Sequence, residues 1–274
     1  MRLVIHENDE HASRWTALYI ADKINAHRKE GKPFVLGLPT GSSPLKIYRE
    51  FVAMYHKKQL SFANVHTFNM DEYVGLPADH PQSYHYYMTE NLFNHVDIDP
   101  ANVHILNGMA QDPERECLLY EEAISRDGGI DLFLGGAGGD GHIAFNEPGS
   151  SLNSRTRVKT LTEDTRNANA RFFGGDSAQV PATALTVGVG TVMDAREVLI
   201  IVTGKNKARA LRAVVEDGLN HIWTLSCLQL HPKATFVCDE DATDDLRVKT
   251  VRYFKDIERE TIKTYRENVM CHYC

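Results

Sequence analysis

A glycine-rich stretch of the chain, GGAGGDGHIAFNEP at 135–148, carries three side chains that could move a proton. Asp140, His142 and Glu147 lie within eight residues of one another. Histidine exchanges a proton near neutral pH, and a neighbouring carboxylate can fix its tautomer and raise its basicity. The stretch therefore predicts acid–base chemistry, with a structural loop histidine as the alternative.

The same stretch has the G-x-G-x-x-G spacing of a dinucleotide-binding turn. Such a turn opens a long helix, and an acidic residue follows about 20 positions later. Glu163 and Asp164, after a candidate strand at 155–161, meet the second condition. The first fails because HIAFNE is followed at once by PGSSLNS, a loop composition, and Asp140 would stand beside the pyrophosphate. We therefore interpret the glycines as giving another ligand close access to the backbone.

The segment PTGSSP at 39–44 is a candidate phosphate loop, because it follows the apolar run FVLGL and precedes a helical pattern. Hydroxyls and free backbone N–H groups at a helix N-terminus favour an anion. No G-K-[ST] follows, so a phosphate monoester suits the loop better than a nucleoside triphosphate. An ordinary turn with a serine cap is the alternative. The groups concerned are Thr40, Gly41, Ser42 and Ser43.

Two further apolar runs end in charged residues. Asp71 and Glu72 follow VHTF, where a carboxylate could act as a general base or simply face water. Lys205 and Lys207 follow EVLIIV at the start of a helical pattern, where cations oppose the helix dipole unless a phosphate is bound. Two solvated lysines are the alternative.

The elements that must position these residues alternate between strand and helix patterns, which predicts an α/β fold with a mostly parallel sheet covered on both faces. Predicted strands lie at 34–38, 65–68, 130–134, 197–202 and 234–238, and predicted helices at 44–58, 83–96, 112–129 and 207–218. The third helix should begin with Asp112 as N-cap and Pro113 at its first position. Ligands bind at the carboxyl ends of such strands, so we expect the four loops to form one site.

Composition narrows the class of protein. The net charge of −7 over 274 residues argues against non-specific nucleic-acid binding. No signal segment and no run of eighteen apolar residues occurs, which predicts a cytoplasmic protein without a membrane partner. Dispersed histidines and the lack of a G-x-S-x-G motif argue against a metal site and a serine hydrolase. The cysteines, which form no C-x-x-C pair, indicate a reducing compartment: Cys117, Cys227, Cys238, Cys271 and Cys274.

Seven motifs, in order, resemble the glucosamine-6-phosphate deaminase family: LGLPTGSSP, TFNMDEYVGLP, GDGHIAFNEPGSSLNSRTRVKTL, ARFF, ALTVGVGT, NHIWTLSCLQLHPKA and KTVRYF. The resemblance extends to about residue 257. It implies a Rossmann-like α/β fold and a single catalytic domain, here 1–265, followed by a C-terminal tail at 266–274. It also implies no metal, no nucleotide and no other cofactor. The reaction would convert D-glucosamine 6-phosphate and water to D-fructose 6-phosphate and ammonia in amino-sugar catabolism.

The resemblance also implies roles for single residues. Asp71 matches the base that moves a proton between C2 and C1. His142 matches the residue that opens the sugar ring, with Asp140 and Glu147 as its partners. The phosphate-binding positions are Thr40, Gly41, Ser42, Ser43, Arg171 and Lys207.

In hexameric allosteric members of this family, N-acetylglucosamine 6-phosphate binds between subunits and activates. The resemblance therefore implies a homohexamer with such an activator, and the N-terminus of a neighbouring subunit would complete its site. The positions that match this activator site are Ser150, Arg157, Lys159, Thr160 and Tyr253. As an alternative, Arg155, Arg157 and Lys159 form the charged outer face of a strand.

Two rival functions remain open. Another sugar-phosphate isomerase or a lactonase on the same fold would share the phosphate loop but would not need Asp71 together with Asp140, His142 and Glu147. A non-catalytic sugar-phosphate sensor would normally carry a helix-turn-helix segment, and the predicted core begins within the first few residues. The sequence alone favours the deaminase.

Overall fold

The computed structural model describes residues 1–271, with side chains to Tyr265. The strands are β1 (Arg2–His6), β2 (Phe34–Leu38), β3 (Val65–Asn69), β4 (Asp71–Tyr73), β5 (Val103–His104), β6 (Leu132–Gly136), β7 (Arg157–Thr160), β8 (Thr183–Thr186), β9 (Val198–Val202) and β10 (Ala234–Asp239). The α-helices are α1 (Asp9–Lys29), α2 (Leu45–His56), α3 (Tyr84–Asn91), α4 (Pro113–Arg126), α5 (Glu163–Asn169), α6 (Val189–Met193), α7 (Ala208–Glu216), α8 (Val248–Ile257) and α9 (Arg259–Cys271). None of these helices is long and apolar enough to cross a membrane.

A seven-stranded sheet, in which every pairing is parallel, forms the centre of the molecule. Its strand order is β1-β10-β9-β6-β2-β3-β5. Alternate residues of a strand pack into two separate apolar clusters, one on each face of the sheet. In β6, Phe133 packs in one cluster, and Leu132 and Leu134 pack in the other. Because both faces are covered, the strands are nearly continuous apolar runs, which confirms the predicted parallel α/β sheet.

The order of the strands fixes where a ligand can bind. From β2 the chain proceeds outward to β3 and β5 on one side, and to β6, β9 and β10 on the other. The direction of winding therefore reverses between β2 and β6, and the loops at the carboxyl ends of these two strands border a crevice. Those loops are the segments that begin at Pro39 and Ala137.

A second, antiparallel sheet of β4, β8 and β7 was not predicted. Its strands have three or four residues each and polar sequences such as DEY and RVKT, so they give no apolar signal. A single residue, Met70, separates the end of β3 from this sheet, and the first residue of the sheet is Asp71. It therefore continues the chain directly from the carboxyl end of the large sheet.

The predicted helices are confirmed, with shorter ends. Helix α3 stops at Asn91 and gives way to a 3₁₀ turn at 93–95. The side chain of Asp112 caps α4 by accepting the backbone N–H of Arg115 at 2.9 Å, as expected. Strand β7 lies within the candidate strand at 155–161. The other strands and helices were not predicted, α1 among them.

The last helix crosses the predicted boundary between the catalytic domain and the C-terminal tail. Helix α9 extends to Cys271, so residues 266–271 of the predicted tail are helical, while 272–274 lie outside the described residues. Earlier in the same helix, Ile262 and the buried Tyr265 pack against an apolar cluster that includes α1. Two apolar residues three positions apart bind one face of α9 to the body of the protein.

Candidate active site

A cavity of about 580 Å³ lies at the reversal point of the sheet. Every residue that the family resemblance assigns to catalysis or to phosphate binding lines it, although these residues come from loops up to 167 positions apart in the chain (207 − 40). The expectation that the strand-end loops form one site is met by this geometry. The residues in question are Thr40, Gly41, Ser42, Ser43, Asp71, Asp140, His142, Glu147, Arg171 and Lys207.

The carboxyl group of Asp71 lines the cavity and receives no hydrogen bond from the described residues. Its residue is 6% exposed, and no described residue donates a hydrogen bond to its side chain. Burial, together with the nearby charge of Glu72, raises the pKa of Asp71 to about 8. The alternative of a solvated acidic residue therefore does not apply, and the group can hold or release a proton near neutral pH.

The adjacent Glu72 has a different role. Its carboxylate accepts the backbone N–H groups of Tyr73, Tyr84 and His85 and contacts Nδ1 of His85 at 2.9 Å. Tyr84 and His85 form the first turn of α3, where the backbone N–H groups have no partner within the helix. Glu72 therefore fixes α3 against β4, while Asp71 remains available to the cavity.

His142 and Asp140 form a close pair. Nδ1 of His142 lies 2.6 Å from Oδ1 of Asp140, and the same oxygen accepts the backbone N–H of His142 at 3.4 Å. Burial by itself would raise the pKa of Asp140, but these contacts with His142 outweigh it and hold that pKa below its usual value. Asp140 therefore stays ionised and orients the imidazole.

Glu147 completes the group from the other end of the loop. Its Oε1 accepts the backbone N–H of Thr162 at 3.1 Å and the Thr162 hydroxyl at 3.3 Å. Its Oε2 is buried and accepts no hydrogen bond from the described residues. One oxygen thus anchors the side chain, and the other is available to a proton donor.

The three side chains also resemble a metal-binding group, because one ligand atom of each lies within 4.8 Å of the others. Two ligands of a single tetrahedral ion are about 3.3 Å apart, given bonds of about 2.0–2.1 Å. The 2.6 Å contact between Nδ1 of His142 and Oδ1 of Asp140 is shorter than this, and it is a close ion-pair contact whose angles do not meet hydrogen-bond geometry. The expectation of a metal-free site stays a prediction.

Packing inside the protein also requires glycine at two positions of the loop, in addition to any need for a ligand to approach the backbone. A Cβ on Gly138 would lie 2.6 Å from Oδ1 of Asp140 and 2.7 Å from Nε2 of His142. Gly141 has φ of +71°, and a Cβ there would lie 2.6 Å from the Trp223 ring. Gly138 therefore makes room for Asp140 and His142, and Gly141 makes room for the Trp223 ring. A loop follows them to Ser150, so the long helix of a dinucleotide-binding turn is not formed at this place.

The opposite side of the cavity is built for an anion. Helix α2 begins after Pro44 without a side-chain cap, so the alternative of a serine cap is not observed. Among the described residues, the backbone N–H groups of Gly41, Ser42 and Ser43 have no acceptor. Free donors at the positive end of a helix dipole form a site for phosphate.

Lys207 and Arg171 add positive charge to this side. Neither forms an ion pair within the part of the chain whose side chains are described. Burial lowers the pKa of Lys207, and the charge of Arg171 lowers it further, against the opposing effect of Asp140. By contrast, Lys205 is 70% exposed and lies 3.3 Å from Asp244. Only the second lysine of the predicted pair therefore belongs to the cavity.

The aromatic walls of the cavity were missed by the sequence analysis. Tyr84 and Tyr87 lie three residues apart on α3, and the Tyr87 hydroxyl donates to the carbonyl of Gly41 at 2.6 Å. Phe172 and Phe173 line the cavity next to Arg171. The i, i+3 spacing of the tyrosines placed them on one helix face, but nothing in the sequence indicated that this face lines the cavity.

The structure joins some of the predicted effector positions. Arg157 donates to the hydroxyl of the buried Ser150 at 3.3 Å and to Oδ1 of Asn146 at 2.9 Å, while Lys159 and Thr160 follow on β7. Arg157 thus contacts the loop 141–149, which carries His142 and Glu147 and is called the active-site loop. This contact goes beyond the alternative in which Arg157 only belongs to the charged outer face of a strand. Tyr253 is 60% exposed on α8, and no hydrogen bond or ring contact between described residues joins it to the others.

Residues 7–236 match the family model of glucosamine-6-phosphate isomerases/6-phosphogluconolactonase. The glucosamine-6-phosphate deaminase of Glaesserella parasuis serovar 5 is 62% identical over 260 residues, which cover 94% of this chain and 98% of that protein. The glucosamine-6-phosphate deaminase of Treponema denticola is 60% identical over 265 residues, covering 96% of this chain and 98% of that protein. Both relatives are matched over nearly their whole length.

Solved structures agree with this assignment. A monomeric glucosamine-6-phosphate deaminase is 40% identical, with a TM-score of 0.86 over 89% of this chain and 100% of that chain. The 6-phosphogluconolactonase from Trypanosoma cruzi is 19% identical, with a TM-score of 0.71 over 89% of this chain and 96% of that chain, a likeness that shows the fold alone. The chain belongs to the family of glucosamine-6-phosphate isomerases and 6-phosphogluconolactonases, and the resemblance to its deaminases is confirmed.

Proposed function

We propose that this protein is a glucosamine-6-phosphate deaminase, which converts D-glucosamine 6-phosphate and water to D-fructose 6-phosphate and ammonia. The observation that carries the proposal is the cavity itself. It joins a base of near-neutral pKa, an oriented histidine and an uncapped helix N-terminus with two cations. A metabolic role in the catabolism of amino sugars such as N-acetylglucosamine and sialic acid follows from this reaction.

The phosphate of the substrate binds at the end formed by the loop 40–43, Arg171 and Lys207. Charge-assisted hydrogen bonds to these groups fix one end of the sugar. The reacting carbons then lie toward Asp71 and His142, which converts proton transfer into a step between positioned groups.

The first chemical step opens the pyranose ring. His142 takes the proton of the C1 hydroxyl and returns it to the ring oxygen, which breaks the bond between C1 and that oxygen. Asp140 stabilises the imidazolium that forms between the two transfers. The free Oε2 of Glu147 accepts a hydrogen bond from the imidazole or from a sugar hydroxyl.

The second step moves a proton from C2 to C1. Asp71 removes the C2 proton while the C1 carbonyl oxygen gains a proton, which gives an enolamine. Asp71 then delivers a proton to C1, and the nitrogen loses a proton as the double bond to C2 forms. The resulting C2 imine adds water and loses ammonia, which leaves fructose 6-phosphate. A carboxyl group with a pKa of about 8 can serve in both directions of this transfer.

Ammonia release tests the proposal. Purified protein with glucosamine 6-phosphate and a chelator, without nucleotide, should release ammonia and fructose 6-phosphate in equal amounts. The absence of ammonia above background would refute the deaminase. Hydrolysis of 6-phosphogluconolactone in its place would support the lactonase alternative, and binding without turnover would support the sensor.

We also propose that the protein is an allosteric homohexamer activated by N-acetylglucosamine 6-phosphate. Arg157 supports this, because it contacts Asn146 inside the active-site loop and Ser150 just beyond it. An anion that binds Arg157, Lys159 and Thr160 would change these contacts. Superimposable hyperbolic rate curves with and without the activator would contradict the switch, and sizing in solution tests the hexamer.

For the location in the cell we propose the cytoplasm. The three cysteines with described side chains, Cys117, Cys227 and Cys238, are buried and form no disulfide. Buried free thiols fit a reducing compartment. Fractionation of the source cells with an antibody against this protein tests the proposal, and recovery outside the cytoplasmic fraction would contradict it.

A further inference from the structure

The active-site loop contains a turn that its sequence does not favour. Ala144 has φ of +50°, in the left-handed region that residues other than glycine rarely adopt. It lies between His142 and Glu147, and the reversal at this position lets both side chains line the same cavity. Strained backbone of this kind persists only where surrounding contacts hold it.

Thr224 supplies such contacts from outside the cavity. Its side chain is fully buried, and its hydroxyl accepts the backbone N–H of Ile143 at 3.3 Å and donates to the carbonyl of Asn146 at 3.2 Å. One hydroxyl therefore bridges the residue before the turn and the residue two positions after Ala144. A hydroxyl that both accepts and donates across a turn fixes its width.

Neighbours of Thr224 hold the two ends of the same loop. The N–H of Leu225 donates to the carbonyl of Gly141 at 3.0 Å, and the N–H of Gly149 donates to the carbonyl of His221 at 2.9 Å. Segment 221–225 is therefore a backing for the loop from Gly141 to Gly149. Within this backing, Thr224 is the residue whose side chain reaches the strained turn.

We propose that Thr224 is a positioning residue for the ring-opening step, which acts by holding the turn at Ala144 and, through it, His142 and Glu147. The inference rests on the proposed deaminase function. It assigns no contact with substrate to Thr224, which does not line the cavity. Valine has nearly the same shape as threonine but lacks the hydroxyl, so it isolates the two hydrogen bonds.

In the ammonia-release assay, Thr224→Val should lower kcat about 10- to 100-fold, because a displacement of about 1 Å of catalytic groups has an effect of this size. KM should change less than about threefold, since the phosphate-binding groups lie on other segments. Thr224→Ser keeps the hydroxyl and should restore kcat to within about threefold of the unchanged protein. Equal kcat for the valine and serine variants would overturn the proposal.

A matched control separates positioning from general loss of stability. Thr16 is also fully buried, and its hydroxyl donates to the carbonyl of Ala12 within α1. Thr16→Val should lower the melting temperature by a similar amount and leave kcat unchanged. If both valine variants lower kcat in proportion to their melting temperatures, the effect of Thr224 is structural only and the proposal fails.

The turn itself gives a second test. Glycine adopts φ of +50° without strain, so the need for Thr224 should decrease when Ala144→Gly is introduced. We expect the loss of kcat caused by Thr224→Val to be at least threefold smaller in the Ala144→Gly background. An equal or larger loss there would refute the link to the turn.

Four proteins can also be compared by melting temperature without substrate: the unchanged protein, Thr224→Val, Ala144→Gly and the variant that carries both substitutions. The drop in melting temperature caused by Thr224→Val should be smaller in the Ala144→Gly background. This measurement does not depend on the reaction. Failure of the unchanged protein to release ammonia would therefore refute the proposed function, whereas additive melting temperatures would refute the role of Thr224.

Discussion

Asp71 and Asp140 are the same side chain in two environments of one cavity. Asp71 receives no hydrogen bond from described residues, and burial raises its pKa to about 8. Asp140 is also partly buried, but contacts with His142 keep its pKa below the usual value. The Asp71 residue is only 6% exposed, whereas the Asp140 side chain is 40% exposed and contacts His142. The difference teaches that burial and hydrogen-bond donors together decide which carboxylate exchanges a proton and which stays charged.

The two residues also depend on different parts of the fold. Asp71 begins the small antiparallel sheet, so its position is set by backbone pairing with β8. Asp140 lies in a loop that is held by side-chain contacts and by the glycines around it. We expect substitutions to separate the two roles: removal of the base abolishes proton transfer, while removal of the orienting charge weakens ring opening.

The largest effect is expected for Asp71→Asn. This change keeps the shape but removes the group that transfers the proton, and we expect kcat to fall at least about 1,000-fold. Affinity for fructose 6-phosphate, measured by calorimetry, should stay within about threefold because the phosphate groups are untouched. Retention of more than a tenth of the original kcat would remove Asp71 from the role of base.

A smaller loss is expected for Asp140→Asn. The amide keeps the space beside His142 but loses the charge that stabilises the imidazolium, and we expect kcat to fall about 100-fold. The comparison is made in the same ammonia-release assay. A loss as large as that of Asp71→Asn would mean that the two aspartates do not divide the chemistry as their environments indicate.

The phosphate side should respond mainly in KM. Lys207→Met removes a half-buried cation, and we expect KM to rise about 10- to 100-fold, the equivalent of one charged hydrogen bond. Lys205→Met is the matched control, because that lysine is two residues away, exposed and paired with Asp244. A similar rise in KM for both variants would indicate a general effect of charge in place of a contact with the phosphate.

The smallest effect concerns stability and pH. Because the pKa of Asp71 is raised to about 8 in the folded state, its favourable contribution to stability is complete below about pH 4 and is lost as the pH rises through about 8. The Asp71→Asn variant does not lose stability in this way, because asparagine does not ionise. The melting temperature of the variant, relative to that of the unchanged protein, should therefore increase from pH 5 to pH 9. A difference that is constant over this range would show that Asp71 is not the raised group.

The parts that were predicted well share one property: their signal is local. Apolar runs such as FVLGL and EVLIIV defined buried strands, and Asp112 and Pro113 marked the beginning of α4. The loops that follow these strands then contained the polar groups of the site. The small sheet escaped prediction because strands as short as β4, with the sequence DEY, bury few apolar residues.

Residues whose role depends on a distant partner were not predictable in the same way. Thr224 is an ordinary buried threonine in the sequence, and only contact with Ile143 and Asn146, about 80 positions earlier, connects it with the active-site loop. Glu72 and Asp71 are adjacent acids, and their sequence did not indicate that Glu72 would bind the first turn of α3. The pairing of Lys205 with Asp244 was equally hidden.

The sequence by itself determined the α/β class, the loops that carry the chemistry and, through its long motifs, the family of the protein. It could do so because strand periodicity, turn composition and motif spacing are properties of neighbouring residues. Tertiary structure decided which carboxyl group is buried with a raised pKa, which lysine lines the cavity and why Gly138 must lack a side chain. Those outcomes depend on desolvation, charge pairing and close packing between segments far apart in the chain, and such quantities exist only once the chain is folded.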